Sequence, residues 1–210
     1  MKLNRESLLL YGVTDRSWLG KCTLAEQVEE TLKGGVTFIQ LREKELDYDS
    51  FLAEAREIKE VCKRYNVPFV INDNVDLAIA CDSDGVHVGQ SDMEAGNVRA
   101  KLGKEKIIGV SVQTVEQAIL AEKHGADYLG VGAVFSTSTK TDADKVSLET
   151  LTAICNSVNV PVVAIGGIGI HNIRELTGTG VDGVAVVSAI FAQPDIKLAT
   201  EKLLLLAKKM

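Results

Sequence analysis

The sequence predicts an α/β fold closed into a single (β/α)8 barrel spanning residues 1–210, and three observations carry that prediction. Eight short runs, rich in Val and Ile and nearly continuous in apolar character, recur along the chain, as parallel strands buried on both faces require. Stretches with the three-four apolar rhythm of amphipathic helices separate them. One local pattern also keeps returning: a helix, a Gly- or Asp-rich stop, an apolar run, then polar residues. It is visible in Lys33-Gly34-Gly35-Val36-Thr37-Phe38, Cys81-Asp82-Ser83-Asp84-Gly85-Val86, His124-Gly125-Ala126-Asp127-Tyr128-Leu129 and Thr179-Gly180-Val181-Asp182-Gly183-Val184. A doubly wound open sheet would share the alternation. It normally carries a Gly-rich turn after its first strand, whereas Tyr11-Gly12-Val13-Thr14-Asp15 holds a single Gly.

The first strand is expected over 8–13, entered through Leu8-Leu9-Leu10. Thr23 and Glu26 then have capping-box spacing and open a helix whose Leu24, Val28 and Leu32 share a face and whose stop is Gly34. A strand over 37–41 follows, and a helix with Phe51, Ala55, Ile58 and Cys62 along one side. Strands over 69–72, 85–88 and 107–111 come next; Thr114 and Gln117 repeat the capping spacing, and Gly125 stops that helix. The last strands are expected over 128–131, 162–165 and 183–187. No linker or low-complexity tract interrupts the series.

With 46% apolar and 25% charged residues the balance is that of an ordinary globular domain. A net charge of −6, with Lys and Arg interspersed among acids, argues against nucleic-acid or anionic-membrane partners, which need a dense basic patch. Cys22, Cys62, Cys81 and Cys155 show no C-x-x-C spacing and are expected as buried thiols. No signal-peptide core follows the first residues and no apolar run is long enough to span a membrane, so a cytoplasmic location is expected.

In a barrel, residues just after each strand face one mouth, so motifs distant in sequence become neighbours. Four such motifs stand out: Gln40-Leu41-Arg42-Glu43-Lys44, Ile71-Asn72-Asp73, Gly89-Gln90-Ser91-Asp92 and Thr137-Ser138-Thr139-Lys140. Gln40, Arg42 and Lys44 alternate, so along an extended segment all three point one way; an Arg fork beside a Lys point charge suits a diphosphate. Asp73 and Asp92 follow neighbouring strands, and two carboxylates completed by phosphate oxygens and water form the shell Mg²⁺ prefers. Asn72 can orient a carboxylate or bind phosphate itself. The hydroxyl-rich segment from Phe135 to Asp142 has the make-up of a lid over an anion. Gly166-Gly167 and Val187-Ser188 follow the last two strands, where barrels commonly hold a phosphate on backbone N–H groups; this implies a second phosphate. Each motif alone also has a plainer reading as surface charge, helix cap, solvated loop or turn. His124 and His171 read as helix-terminus residues, while His87, inside the fourth strand, lines either mouth or core.

At these residues the chain resembles the thiamine-phosphate synthases, which join hydroxymethylpyrimidine diphosphate to thiazole phosphate. The resemblance runs in order through Y-G-V-T-D at 11–15, Q-L-R-E-K at 40–44, I-N-D at 71–73, D-G-V-H-V-G-Q at 84–90, G-V-S at 109–111, T-S-T-K at 137–140, A-I-G-G-I at 164–168 and V-V-S at 186–188. It implies that Gln40, Leu41, Arg42, Glu43, Lys44, Asn72, Ser111 and Lys140 take the pyrimidine diphosphate. It likewise implies that Thr137, Ser138, Thr139, Gly167, Val187 and Ser188 take the thiazole phosphate, carboxylated or not, and that Asp73 and Asp92 hold Mg²⁺. Arg42, Lys44, Ser111 and Lys140 would carry the catalysis. Two small phosphorylated substrates are thus the expected partners, with homo-oligomerisation left open. Asn74, Gln113 and Ser136 stand where the family often has Arg, His and Pro. A thiazole tautomerase of the same superfamily would need a positioned acid-base residue and no diphosphate clamp. A non-catalytic precursor-binding barrel would be expected to lack the metal Asp or the lid Lys, and a sugar-phosphate epimerase would use one phosphate site with a base pair.

Overall fold

The computed structural model describes residues 3–89, 95–136 and 145–210, with the backbone alone at 95–97. Its strands are β1 (Leu10–Val13), β2 (Phe38–Leu41), β3 (Phe69–Asn72), β4 (Gly85–Val88), β5 (Ile107–Val112), β6 (Tyr128–Val131), β7 (Val162–Ile165) and β8 (Gly183–Val186). They pair in parallel and in sequence order, and β8 closes on β1 through Tyr11 opposite Ala185. The helices are α1 (Leu24–Lys33), α2 (Tyr48–Arg64), α3 (Val75–Ala80), α4 (Ala95–Leu102), α5 (Val115–Lys123), α6 (Leu148–Ser157), α7 (Ser188–Phe191) and α8 (Ile196–Ala207). The expected barrel is therefore present, with one irregularity: the connection from β7 to β8 is a 3-10 turn, Ile173–Leu176, in place of an α-helix.

The recurring sequence pattern has a physical basis at the floor of the barrel. The N–H groups at the start of a strand lie where the ladder is only beginning, and a buried donor left without a partner is costly. Here the residue before every even strand reaches back to the strand preceding it. Asp84 donates its N–H to Phe69 O at 2.9 Å while its Oδ2 accepts from Phe69 N at 2.8 Å. Asp127 does the same with Ile108 at 2.7 and 2.8 Å, and Asp182 with Val162 at 2.8 Å in both bonds. Thr37 uses its hydroxyl for the same exchange with Leu10, at 2.8 and 2.9 Å. Four strand pairs are thus stapled alike, and Arg99 and Arg5 add ion pairs of 2.6 and 2.7 Å to Asp127 and Asp182.

Two apolar layers result. The larger lies between strands and helices and holds Val28, Leu41, Ile58, Ile71, Val86, Leu129 and Ile190 among others. The smaller fills the lumen with Leu8, Tyr11, Val13, Phe38, Val70, Ile107, Tyr128, Val163 and Ala185. Lumen rings meet at an angle: Tyr11 and Phe38 at 4.6 Å, Phe38 and Tyr128 at 5.6 Å. Room for Tyr128 comes from its register partner Gly109, where a Cβ would sit 2.1 Å from the tyrosine ring. Gly130 does the same for His87, at 3.1 Å.

Several expectations shift in detail. Leu8 belongs to a 3-10 turn, Arg5–Leu8, capped by Asn4, so β1 begins two residues later than 8 and Leu8 plugs the floor. The Thr23/Glu26 capping box forms as expected, with bonds of 3.1 and 2.8 Å. Thr114 caps α5, but Gln117 Oε1 accepts from Gln113 N at 2.7 Å, so only one half of that box closes. After α1 the left-handed residue is Gly35 at φ 91°, not Gly34, whose hydrogen instead admits α8: a Cβ there would meet Thr200 Cβ at 2.6 Å. Cys62 and Cys81 are buried, Cys155 is half-buried, and Cys22 is exposed, contrary to expectation, because it follows the solvent-facing turn at Gly20. Among the described residues no helix is long and apolar enough to cross a membrane.

Candidate active site

The C-terminal ends of β1 and β2 build a cleft of about 240 Å³ lined by Asp15, Arg16, Ser17, Arg42, Glu43, Lys44 and Glu45. Its geometry starts from Thr14, fully buried, which donates its N–H to Gln40 O at 3.0 Å and accepts from Arg42 N at 3.0 Å through Oγ1. That exchange extends the β1–β2 ladder one step beyond Leu41. Asp15 caps the short 3-10 turn Arg16–Trp18 with Oδ1 and faces Arg42 with Oδ2 at 3.4 Å.

Beyond Arg42 the chain bends, and Glu43 is the reason. Its Oε1 accepts from the N–H groups of Lys44 and Glu45 at 2.7 and 2.8 Å, while Oε2 takes Arg16 Nε at 2.7 Å. Arg16 in turn forks onto Glu54 of α2 at 2.6 and 2.8 Å. Burial alone would push the Glu43 carboxyl up, but the two backbone donors and the Arg16 guanidinium together hold it below the usual carboxylate range. For Glu54 burial prevails over the same guanidinium and its value is raised. The strict alternation expected of Gln40, Arg42 and Lys44 therefore ends at Arg42, with Lys44 presented by a pinned bend. Within this motif the Leu41 side chain packs into the outer core, and the Glu43 carboxylate bonds Arg16 and its own backbone.

At the end of β3, Asn72 Nδ2 donates to Asp73 Oδ2 at 2.7 Å, orienting the carboxylate. Asp73 has φ 60°, a left-handed conformation that Asp tolerates better than most residues. The helix-capping role open to Asp73 from sequence is filled by Asn74, whose Oδ1 accepts from Leu77 N at 2.9 Å. On β4 and β5, His87 Nε2 and Ser111 Oγ lie 2.9 Å apart. The Asp73 carboxylate offers oxygen donors of the kind Mg²⁺ takes; among the described residues no group of three or more His, Cys, Asp and Glu side chains forms a metal cage. Asp92, Thr137, Ser138, Thr139 and Lys140 lie outside the described residues.

Across the mouth, Gly166 and Gly167 follow β7 at φ 101° and 64°. Phe135 N donates to Gly166 O at 3.0 Å, so the segment leaving β6 runs beside them, and a Cβ on Gly167 would fall 2.3 Å from Ser136 O. Asn172 holds this turn by donating to Gly167 O and accepting from Gly169 N, both at 2.9 Å. Val187 immediately precedes α7, whose first residue is Ser188. Closed barrel, cation-bearing cleft and paired glycine turn thus share one end.

The thiamine monophosphate synthase family model matches residues 10–190. The chain belongs to that family. Relatives named thiamine-phosphate synthase include one from Ruminiclostridium cellulolyticum, 54% identical over 93% of both chains. Another, from Clostridium acetobutylicum, is 51% identical over 90% of this chain and 89% of its own. A solved thiamine phosphate pyrophosphorylase from Pyrococcus furiosus superposes with a TM-score of 0.90 at 41% identity, covering 98% of each chain.

Some members of this synthase-family mouth were not singled out from sequence. Thr14, Arg16 and Glu54 act only through tertiary contacts, and an Arg after a strand or a Glu in a helix has no local mark. Tyr11 and Tyr128 form a third case. Their hydroxyls are 2.8 Å apart, Gln40 Nε2 donates to Tyr11 at 2.5 Å, and Tyr128 meets His87 Nδ1 at 2.9 Å. The one available signal was Gly109, a small residue in a strand beside an inward-facing aromatic one.

Proposed function

We propose that this chain is a transferase that condenses 4-amino-2-methyl-5-hydroxymethylpyrimidine diphosphate with 4-methyl-5-(2-phosphoethyl)thiazole, or its carboxylated form, releasing diphosphate and giving thiamine phosphate. The observation carrying this reading is the β1–β2 cleft, where Arg42 and Lys44 are presented by a segment that Glu43, Thr14 and Arg16 fix in place. Family membership supplies the reaction class.

The pyrimidine diphosphate is bound with its phosphates on Arg42 and Lys44 and its ring toward Gln40 and Ser111. Departure of diphosphate breaks the methylene C–O bond and leaves positive charge that the ring's amino group spreads. The thiazole nitrogen then forms the C–N bond with a lone pair that needs no deprotonation, so no general base is required. The protein's task is to stabilise negative charge on the leaving group, which preorganised cations do most effectively in a site that excludes water. Asp73, oriented by Asn72, would hold Mg²⁺ together with Asp92, and the ion would neutralise the diphosphate oxygens. Lys140 joins the clamp in this reading. The thiazole phosphate is assigned to the Gly167 and Val187-Ser188 turns with the hydroxyls at 137–139. A cytoplasmic location is proposed with it.

The test is steady-state kinetics of Arg42→Ala and Lys44→Ala against the wild-type protein. Each is expected to lower the rate of diphosphate release on the order of 10²-fold, the usual cost of removing one transition-state charge contact. Wild-type rates in both variants would refute the assignment of the clamp.

A further inference from the structure

The β1–β2 cleft is lined by as many acids as bases, with Asp15, Glu43 and Glu45 set against Arg16, Arg42 and Lys44. For a surface assigned to a polyanion that balance needs a reason. The Glu43 carboxylate and the Arg16 guanidinium have one, since they bond each other at 2.7 Å and Arg16 also forks onto Glu54. Asp15 is different. Its Oδ2 lies 3.4 Å from Arg42 Nη1, on one of the two cations assigned to the diphosphate, and the two side chains are 13% and 19% exposed. We propose that Asp15 sets the diphosphate affinity of this cleft: it is a fixed internal counter-ion that competes with the ligand for Arg42 and keeps the product weakly enough held to leave. This rests on the synthase reading for what the cleft binds, and it assigns a carboxylate that the reading leaves without a role.

Two features decide that Asp15 competes for Arg42 and does not merely support it. The backbone that carries the guanidinium is set without Asp15: Arg42 N donates to Thr14 Oγ1 at 3.0 Å, and Thr14, fully buried, sends its own N–H to Gln40 O at 3.0 Å. The side-chain contact is a single long bond from one guanidinium nitrogen, unlike the two-pronged fork with which a carboxylate orients an arginine. Asp15 is also unable to withdraw when an anion docks. Its Oδ1 accepts from Ser17 N at 2.9 Å and caps the Arg16–Trp18 turn. That turn is tied at its start by the bond from Arg16 to Glu43, and at its end by Gln27 Nε2 donating to Trp18 O at 2.8 Å. A phosphate oxygen taken up by Arg42 therefore comes within about 4–6 Å of a carboxylate that stays in place, a range at which like charges in a partly buried site repel appreciably. Arg42 is then shared between two anions. The penalty falls alike on diphosphate carried by the substrate and diphosphate released as product, so it raises KM and spares the enzyme a product that its own clamp would retain.

The experiment uses the full chain and its Asp15→Asn variant, which removes the charge and keeps the cap, since Asn caps as well as Asp. Calorimetric titration with inorganic diphosphate in the presence of Mg²⁺ is expected to show about tenfold tighter binding to Asp15→Asn than to the wild type, the scale of one like charge removed at this range. Product inhibition by diphosphate should tighten by the same factor. KM for the pyrimidine diphosphate should fall with it, while KM for the thiazole phosphate stays within about twofold because that substrate is assigned to the other side of the mouth. Asp15→Ser, a second neutral cap, should bind diphosphate as tightly as Asp15→Asn. Unchanged affinity in both variants would reduce Asp15 to the cap of its turn, and weaker affinity would make it a support for Arg42; either result, with wild-type turnover intact, overturns this proposal alone. A wild-type protein that neither binds diphosphate nor releases it from the two substrates would refute the clamp itself, and the proposal with it.

Discussion

Replacing Arg16 with Gln tests how the segment proposed to clamp the diphosphate is held. Arg16 makes one bond of 2.7 Å to Glu43 and two of 2.6 and 2.8 Å to Glu54, and its side chain is 29% exposed against 2% for Glu43. Breaking a fully buried ion pair costs about 3–5 kcal/mol and breaking an exposed one about 0–1. Glu43 keeps its two backbone donors, so the expected loss lies between these limits, about 2 kcal/mol. For a chain of this size that lowers the melting temperature by about 4–8 °C. The pH dependence follows from the sign of the shift. Glu43 is depressed below its ordinary 4.5, so its contribution is complete above that value and disappears as the pH falls below it. Glu54 is raised, so its ionised form costs stability at neutral pH and the cost is relieved in acid. Arg16→Gln should therefore lose more stability at neutral pH than in acid. Because the bend carrying Lys44 is released, KM for the pyrimidine diphosphate should rise about tenfold, a modest misplacement of a positioning group. Thermal melts at several pH values and initial rates check both. A melting temperature that falls while KM stays at the wild-type value would refute the claim that Glu43 and Arg16 position the clamp.

Other outcomes follow from the same geometry. Gly109→Ala should fail to fold or lose at least about 3 kcal/mol in denaturant melts, since the added methyl overlaps the Tyr128 ring and overpacked lumens relax poorly. Asp127→Ala removes the floor staple at Ile108 and the Arg99 pair together and should cost about 2–4 kcal/mol by the same assay, with KM values unchanged because the site lies at the other end. Asn74→Ala deletes the α3 cap and should cost about 1 kcal/mol. In a thiol-reagent titration of the native protein Cys22 should react quickly while Cys62, whose thiol burial pushes up to about 12, reacts only on unfolding.

The strands were legible because a parallel barrel buries both faces, so each appears as an apolar run; β3, β4, β6 and β7 coincide with their expected spans. Errors fall where a neighbour decides the outcome. Leu8 reads as strand by its side chain but turns with Asn4, and Gly34 reads as a helix stop but is small for the sake of Thr200. The connection before β8 has the length for a helix yet folds as a 3-10 turn under Asn172. For the site, the sequence placed the cations and Asp73 at strand ends, where the barrel gathers them. It could not show that Glu43 faces Arg16, or that Gln40 is tied to Ser111 through three buried side chains, because every one of those bonds joins residues from different strands or turns. Patterns within a segment encode burial and element type; partners across the barrel are set only on closure.

The most direct measurement of the central claim is diphosphate release by the full chain in the presence of Mg²⁺, with both substrates and with each omitted, alongside mass detection of thiamine phosphate. The account predicts release in step with thiamine phosphate only when both are supplied. Release at the same rate without the thiazole phosphate, or none with both, would contradict it.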